Sequence, residues 1–245
     1  MFDRLQQFFS TFLHIVLPIQ CLNCQTIIGD HGFCPQCWEQ LPFLPKPSCT
    51  SCAMPIPDSS LHTLCGACLC DPPNFDRADS ALAYDDFSRK LVLNLKNQDK
   101  TFMLNVIAKL LLAAGSDSMS DTQALVPVPL HWRKQWQRQF NQSALMAQYL
   151  SKCTHIPVLH ALKRSRPTPS QGGLSSLERQ KNVRGAFQGT LPSLHLNHCT
   201  LIDDVLTTGS TLNECAQTLK KLGVKKVSVL TLCRTINSGK KYVRN

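Results

Sequence analysis

The 245-residue sequence has no run of about 20 apolar residues, so it offers no ordinary membrane span. No small-residue cleavage site follows its apolar opening segment, which argues against a secretory leader and for a reducing cytoplasm. Charged residues reach only 17% against 43% hydrophobic, and no low-complexity tract occurs, which excludes a disordered chain. Basic residues are almost missing from the first 75 positions, where Arg4 and Lys46 face Asp3, Asp30, Glu39, Asp58 and Asp71. The other 24 of the 26 basic residues, with 11 of the 16 acids, lie beyond. The net charge of +10 therefore belongs to the second part, and such a field suits a phosphate-rich partner.

Three regions follow, with a short tail. Residues 1–18 carry an apolar stripe at Phe2, Leu5, Phe9, Phe12, Leu13 and Val16, broken by Pro18. The spacing predicts a helix packed on the protein, with an interfacial helix at a membrane as the alternative. Residues 19–75 are rich in cysteine and proline and weak in periodicity. Residues 76–237 alternate strand-like and helix-like patterns, and 238–245 form a tail. Expected strands are Ser80–Tyr84, Ala124–Val128, Ile156–Leu162, Cys199–Ile202 and Val227–Leu232. Expected helices cover Leu91–Leu95, Phe102–Ala114, the later part of Trp132–Leu150, and Ser210–Leu222, stopped by Gly223. Short buried runs between helices predict an α/β domain with a parallel sheet covered on both faces. No internal repeat occurs beyond a doubled cysteine pattern.

That pattern places eight of thirteen cysteines in four Cys-x-x-Cys pairs: Cys21/Cys24, Cys34/Cys37, Cys49/Cys52 and Cys65/Cys68. Each pair forms a knuckle aiming two thiolates at one ion, and two knuckles complete a tetrahedral site. Two zinc ions follow, structural because a closed Cys₄ set leaves no open position, and they supply folding free energy to a module poor in apolar residues. Sequential pairing is expected over interleaving, although the sequence leaves both open. His31 or Cys70 could replace a neighbouring ligand. A redox role lacks the βαβ context it needs.

The segment Cys199 to Thr211 carries the most chemistry. An apolar strand meets Asp203 and Asp204, and the loop Thr207-Thr208-Gly209-Ser210-Thr211 opens a helix. Loop amides and the helix N-terminus favour an anion, the hydroxyls add donors, and Gly209 permits close approach. The carboxylates can accept hydrogen bonds from ribose hydroxyls, so the segment reads as a ribose-5-phosphate cradle.

This stretch resembles the phosphoribosyl pyrophosphate motif of type I phosphoribosyltransferases, and the chain as a whole resembles the ComF family of competence-associated proteins, similar also to the GntX group. The resemblance runs through the paired cysteines, Pro72 to Ala78, Leu95-Lys96, Val126 to Leu130, Arg138 to Gln142, Ser170-Gln171, Glu178 to Val183, Ala186-Phe187 and the phosphate loop. Gln139 departs from it, standing where the family has glycine. The resemblance implies a type I phosphoribosyltransferase fold behind a double zinc ribbon. It also implies a pyrophosphate loop at 130–139, a mobile loop at 163–185, and magnesium arriving with phosphoribosyl pyrophosphate.

Residues 131–187 hold ten basic side chains and one acid, Glu178. Arg133, Lys134, Arg138, Lys163, Arg164 and Arg166 are the candidates for pyrophosphate or DNA, since guanidinium groups bind phosphate bidentately. Trp132, Trp136 and Phe140 interleave with the first cluster, as stacking on single-stranded nucleic acid requires, although core packing explains the tryptophans equally. The expected function is that of a ComF-like protein in the cytoplasm, or peripheral at the inner membrane, binding phosphoribosyl pyrophosphate and single-stranded DNA during DNA uptake. Its protein partners would be DNA-uptake or DNA-processing components. The alternatives are an active phosphoribosyltransferase, for which no base or amine acceptor site is recognisable, and a ligand sensor that does not turn the ligand over.

Overall fold

A computed structural model describes residues 19–57, 63–95, 102–130, 140–166, 176–191 and 196–236. The expected helix at 1–18, the tail, the aromatic pair Trp132/Trp136 and the basic residues Arg133, Lys134 and Arg138 lie outside the described residues.

In chain order the elements are α1 (Pro35–Glu39), α2 (Gly66–Cys70), β1 (Arg77–Ala83), α3 (Asp86–Asn94), α4 (Met103–Ala114) and α5 (Ser116–Met119). Then come β2 (Ala124–Pro127), α6 (Gln142–Thr154), β3 (Leu162–Arg164), α7 (Ser176–Val183), β4 (Phe187–Gly189), β5 (His198–Leu206), α8 (Ser210–Lys221) and β6 (Lys226–Arg234). Local chemistry sets several ends. Asp85 and Ser88 form a reciprocal capping box at α3. Asn141 caps α6 by accepting from the Ser143 amide, and its own amide group donates to the Val128 carbonyl, which fixes the helix start beside β2. Gly223, at φ +100°, follows α8 as expected.

The main sheet has the order β1-β6-β5-β2, and all its neighbours are parallel. Such strands are buried on both sides, which explains their unbroken apolar runs. Successive residues serve opposite faces. Leu125, Ile202 and Leu230 pack with Leu91, Leu104, Ile107, Leu111 and Leu150 of α3, α4 and α6. Val126, Leu201 and Val229 pack with Leu212, Cys215, Ala216 and Leu219 of α8. The result is the expected α/β architecture.

The cysteine-rich part keeps only a small cluster of its own, around Cys21, Cys34 and Cys37, and otherwise shares the two main cores. Leu22 and Leu41 belong to the first cluster and Ala53 to the second. Phe43 bridges antiparallel to Leu82, and the Leu44 and Ala83 amides donate to the Ala81 and Pro42 carbonyls, so this segment closes the outer edge of β1.

Several boundaries move. The first strand begins at Arg77 and ends before Tyr84. Ile156–Leu162 is not a strand; only Val158 bridges to Leu125, and β3 starts where the expected strand stopped. β5 continues through the acid pair to Leu206 because its pairing with β6 continues to Arg234. The stretch expected to be a mobile loop holds β3 and α7, and β3 pairs antiparallel with β4. Its residues 167–175 lie outside the described set.

Candidate functional site

The cysteines form two tetrads, Cys21/Cys24/Cys34/Cys37 and Cys49/Cys52/Cys65/Cys68, with all four sulfurs of each within 4.8 Å of one another. The pairing is sequential. The Cys24–Cys34 and Cys52–Cys65 sulfurs are 3.6 Å apart, close to the edge of about 3.8 Å that a tetrahedron with Zn–S bonds of about 2.3 Å requires. His31 lies against the Phe102 ring and Cys70 is exposed, and neither joins a tetrad.

The tetrads are built alike. The Cys21 amide donates to the Thr26 carbonyl and that of Gln25 to the Cys21 carbonyl; Cys49, Met54 and Ala53 repeat this arrangement. Gln25 and Ala53 both take left-handed backbone, at φ 64° and 57°. Each second knuckle opens a one-turn helix, with Cys34 before α1 and Cys65 before α2. The Cys34 amide and the Asn23 side-chain amide donate to the Cys21 and Cys37 sulfurs, as suits thiolates. Burial pushes the Cys37 thiol up to about 12, so this ligand needs a cation to displace its proton, whereas hydrogen bonds from Thr26 bring the Cys24 thiol down to about 6. The donor sets fit two structural zinc sites.

The second assembly lies where β5 meets α8. Gly209 precedes α8 at φ +79°, a left-handed turn that L side chains resist. A Cβ at this position would stand 3.5 Å from Leu206 and 3.8 Å from the Phe75 ring, facing the core and not the loop's outer side. The Thr208 and Ser210 hydroxyls pair at 2.8 Å across the turn. Ser210 is the first helical residue and not the cap. Thr208 is exposed, and Thr207, Ser210 and Thr211 are half-buried.

Asp203 accepts from the Ser143 hydroxyl at 3.0 Å and from the Asp204 amide at 3.0 Å. Its surface is partly open, yet its carboxyl is hemmed in by protein. Desolvation first, then repulsion from Asp204, push it up to about 8, while hydrogen bonds and Arg164 act the other way. Strand alternation directs the two acids differently. Asp203 acts electrostatically on Cys215 and Arg164, whereas Asp204 acts on Cys233, as Asp85 does.

The basic candidates divide. Arg164 is half-buried with its guanidinium 5.3 Å from the Phe187 ring centre, and burial lowers its pKa from the ordinary value. Arg166 donates to the Arg184 carbonyl at 2.9 Å and to that of Asn182 at 3.4 Å, at the C-terminal end of α7. Lys163 and Arg184 are exposed. Thus Arg164 belongs beside Asp203, and Arg166 also fastens α7. A cavity of about 240 Å³ opens between Pro127–Leu130, the start of α6, His160 and β3, with Asn141, Lys163 and Arg164 in its wall.

Two residues at the site carry no sequence signal of their own. Ser143 looks like any helix-start hydroxyl until β5 is placed beside it. Arg234, the last residue of β6, is buried and donates to the Leu206 and Thr207 carbonyls at the loop entrance. The one available hint is a cation closing an apolar strand.

Comparisons with known proteins agree with this architecture. The family model described as a double zinc ribbon domain matches residues 12–69, and that of the phosphoribosyl transferase domain matches residues 144–244. With the parallel sheet, the second match identifies the fold as the phosphoribosyltransferase type. The chain is 33% identical over 225 residues to competence protein F of Haemophilus influenzae, covering 88% of this chain and 96% of that protein. It is 34% identical over 230 residues to the DNA utilization protein YhgH of Escherichia coli K12, covering 91% and 100%. Competence protein ComFC of Bacillus subtilis is 26% identical over 216 residues, covering 84% and 85%.

Proposed function

Because the chain belongs to the ComF family of competence proteins, we propose that it binds the 5-phosphoribosyl part of phosphoribosyl pyrophosphate at Thr207–Thr211 and single-stranded DNA on the adjoining basic surface. Its biological role is the handling of incoming DNA on the cytoplasmic side, in contact with DNA-uptake or DNA-processing proteins. Among the described residues no helix is long and apolar enough to cross a membrane.

The observation that carries the ribose-phosphate assignment is the left-handed turn at Gly209, which joins the end of β5 to the N-terminus of α8 between paired hydroxyls. Asp203 and Asp204 accept ribose hydroxyls, and Arg164 adds positive charge beside Asp203. Magnesium, when bound with the pyrophosphate, would supply charge neutralisation, and Asp204, with Asp203 once it has given up its proton, would offer it hard oxygen donors. The two tetrads each hold a structural zinc ion.

Titration calorimetry with magnesium and phosphoribosyl pyrophosphate tests the cradle. The double variant Asp203→Asn, Asp204→Asn should lose most affinity while keeping the fold; unchanged affinity would remove the assignment. Fluorescence anisotropy with a labelled single strand should give affinity with little base preference that falls steeply with salt, because bound phosphates release counterions.

The cavity beside Arg164 favours a second reading, transfer of the phosphoribosyl group to a base or amine held there. Pyrophosphate release in a single turnover with candidate acceptors distinguishes transfer from binding alone.

A further inference from the structure

Arg234 is 7% exposed and donates to backbone oxygens through Nε and one Nη. Its Nε donates to the Cys52 carbonyl at 2.8 Å. One Nη donates to the carbonyls of Leu206 at 3.0 Å, Thr207 at 2.5 Å and Thr235 at 2.9 Å. Among the described residues no carboxylate forms an ion pair with it. Burying a guanidinium is costly unless its donors are met, and these acceptors come from two distant places. Cys52 belongs to the second tetrad, whereas Leu206 and Thr207 lead into the phosphate loop.

Peptide planarity makes this arrangement directional. Holding the Leu206 and Thr207 carbonyls toward Arg234 turns the amides of Thr207 and Thr208, which share those planes, away from it. A fixed cation behind the loop also adds a positive potential. The junction is packed as well as hydrogen-bonded. Ala53, directly after Cys52, shares a core with Phe75 and Leu206, and the Ala78 amide donates to the Thr50 carbonyl at 3.0 Å. The first tetrad packs elsewhere, against Phe33, Ile28 and Phe87.

We propose that Arg234 is a positioning residue that locks the phosphate loop to the Cys49/Cys52 knuckle of the second tetrad, so that metal in that tetrad and an anion in the loop stabilise each other. The mutual effect rests on the phosphate-loop reading above, and by linkage it is reciprocal. The strut itself, knuckle to Arg234 to loop, requires no ligand.

The test is amide hydrogen exchange on the full, zinc-loaded chain, with zinc release to a colour-forming chelator measured in parallel. Without ligand, Arg234→Lys keeps the charge but loses the fork. It should speed exchange at Thr235 and Asn213, whose amides donate to the Leu206 and Gly209 carbonyls of the loop, and at Cys49–Ala53 on the order of tenfold, leaving Cys21–Gln25 unchanged. In the unmutated chain, magnesium with phosphoribosyl pyrophosphate should slow exchange at Cys49–Ala53 and slow the loss of one of two zinc ions; both effects should vanish in Arg234→Lys. Loosening of the loop alone in the variant overturns the strut. Protection of the loop without any change at Cys49–Ala53 or in zinc release overturns the coupling and leaves the cradle standing. No protection at Thr207–Thr211 in the unmutated chain overturns the cradle itself, and the ligand-free comparison still decides the strut. Should the lysine variant fail to fold, exchange and zinc release in the unmutated chain, with and without ligand, decide the coupling without it.

Discussion

Replacing Asp203 by asparagine should stabilise the ligand-free protein while weakening its ligand binding. The ordinary value for this carboxyl is near 3.8, and burial first and Asp204 second raise it to about 8. Below pH 4 the folded and unfolded chains both hold the proton, and Asp203 costs nothing. From about pH 4 to 8 the unfolded chain releases it and the folded chain keeps it, so stability falls as pH rises, and the whole cost is present above 8. Linkage puts this cost at about 1–4 kcal/mol at neutral pH, with the lower part of the range appropriate to a carboxyl that keeps some contact with water. Asparagine cannot ionise, and its Oδ1 can still accept from Ser143. For a chain of this length about 1 kcal/mol moves the melting temperature by roughly 2–4 °C. Thermal unfolding followed by circular dichroism at pH 5.5, 7 and 8.5, in magnesium-free buffer, should show Asp203→Asn gaining on the unmutated protein as pH rises. Parallel pH profiles, or a variant less stable at pH 8.5, would refute the account of Asp203.

Cys34→Ser should cut bound zinc from two ions to one and lower the yield of folded protein, whereas exposed Cys153→Ser should do neither; elemental analysis after purification without added metal reads both. Gly209→Val should weaken binding of phosphoribosyl pyrophosphate in calorimetry, because any L residue at φ +79° costs about 1–2 kcal/mol and the neighbours leave ordinary room for a Cβ. Arg166→Ala should expose α7 to limited proteolysis, since it frees the Asn182 and Arg184 carbonyls. Neutralising Arg164 and Arg166 together should reduce single-strand affinity and its salt slope far more than neutralising Lys240 and Lys241, and an unchanged slope would take the DNA surface away from this region.

What could be read in the sequence was local. Four cysteine pairs announce two tetrads because each knuckle closes within a few residues, and Gly209 announces a tight turn for the same reason. The helices at 103–114 and 210–221 carry periodic faces, and their limits fall close to the expected ones. The acid pair looked like the end of a strand because carboxylates are poor strand formers, yet backbone pairing with β6 carries the strand past them. The three-residue strands β3 and β4 and the polar helix α7 are too short or too hydrophilic to stand out. Ser143 and Arg234 acquire their roles only through partners 60 and 182 residues away, and no pattern along the chain encodes such distances.

The edge position of β1 has a consequence for biosynthesis. Its sheet neighbour is β6, so Ala78 waits for Val229, and Cys52 waits for Arg234. Each tetrad can close around metal as soon as its own short stretch leaves the ribosome. β1 then stays unpaired on one side until nearly all of the phosphoribosyltransferase-type fold has been translated. Chains built from such distant contacts fold slowly, and an open strand edge invites pairing with other chains in the meantime. The segment around Phe43, which bridges to Leu82 from the opposite side, is made early and needs no late partner. It gives the nascent strand one covered flank during that interval, so a ribbon lacking its metal should reveal itself first as aggregation during synthesis.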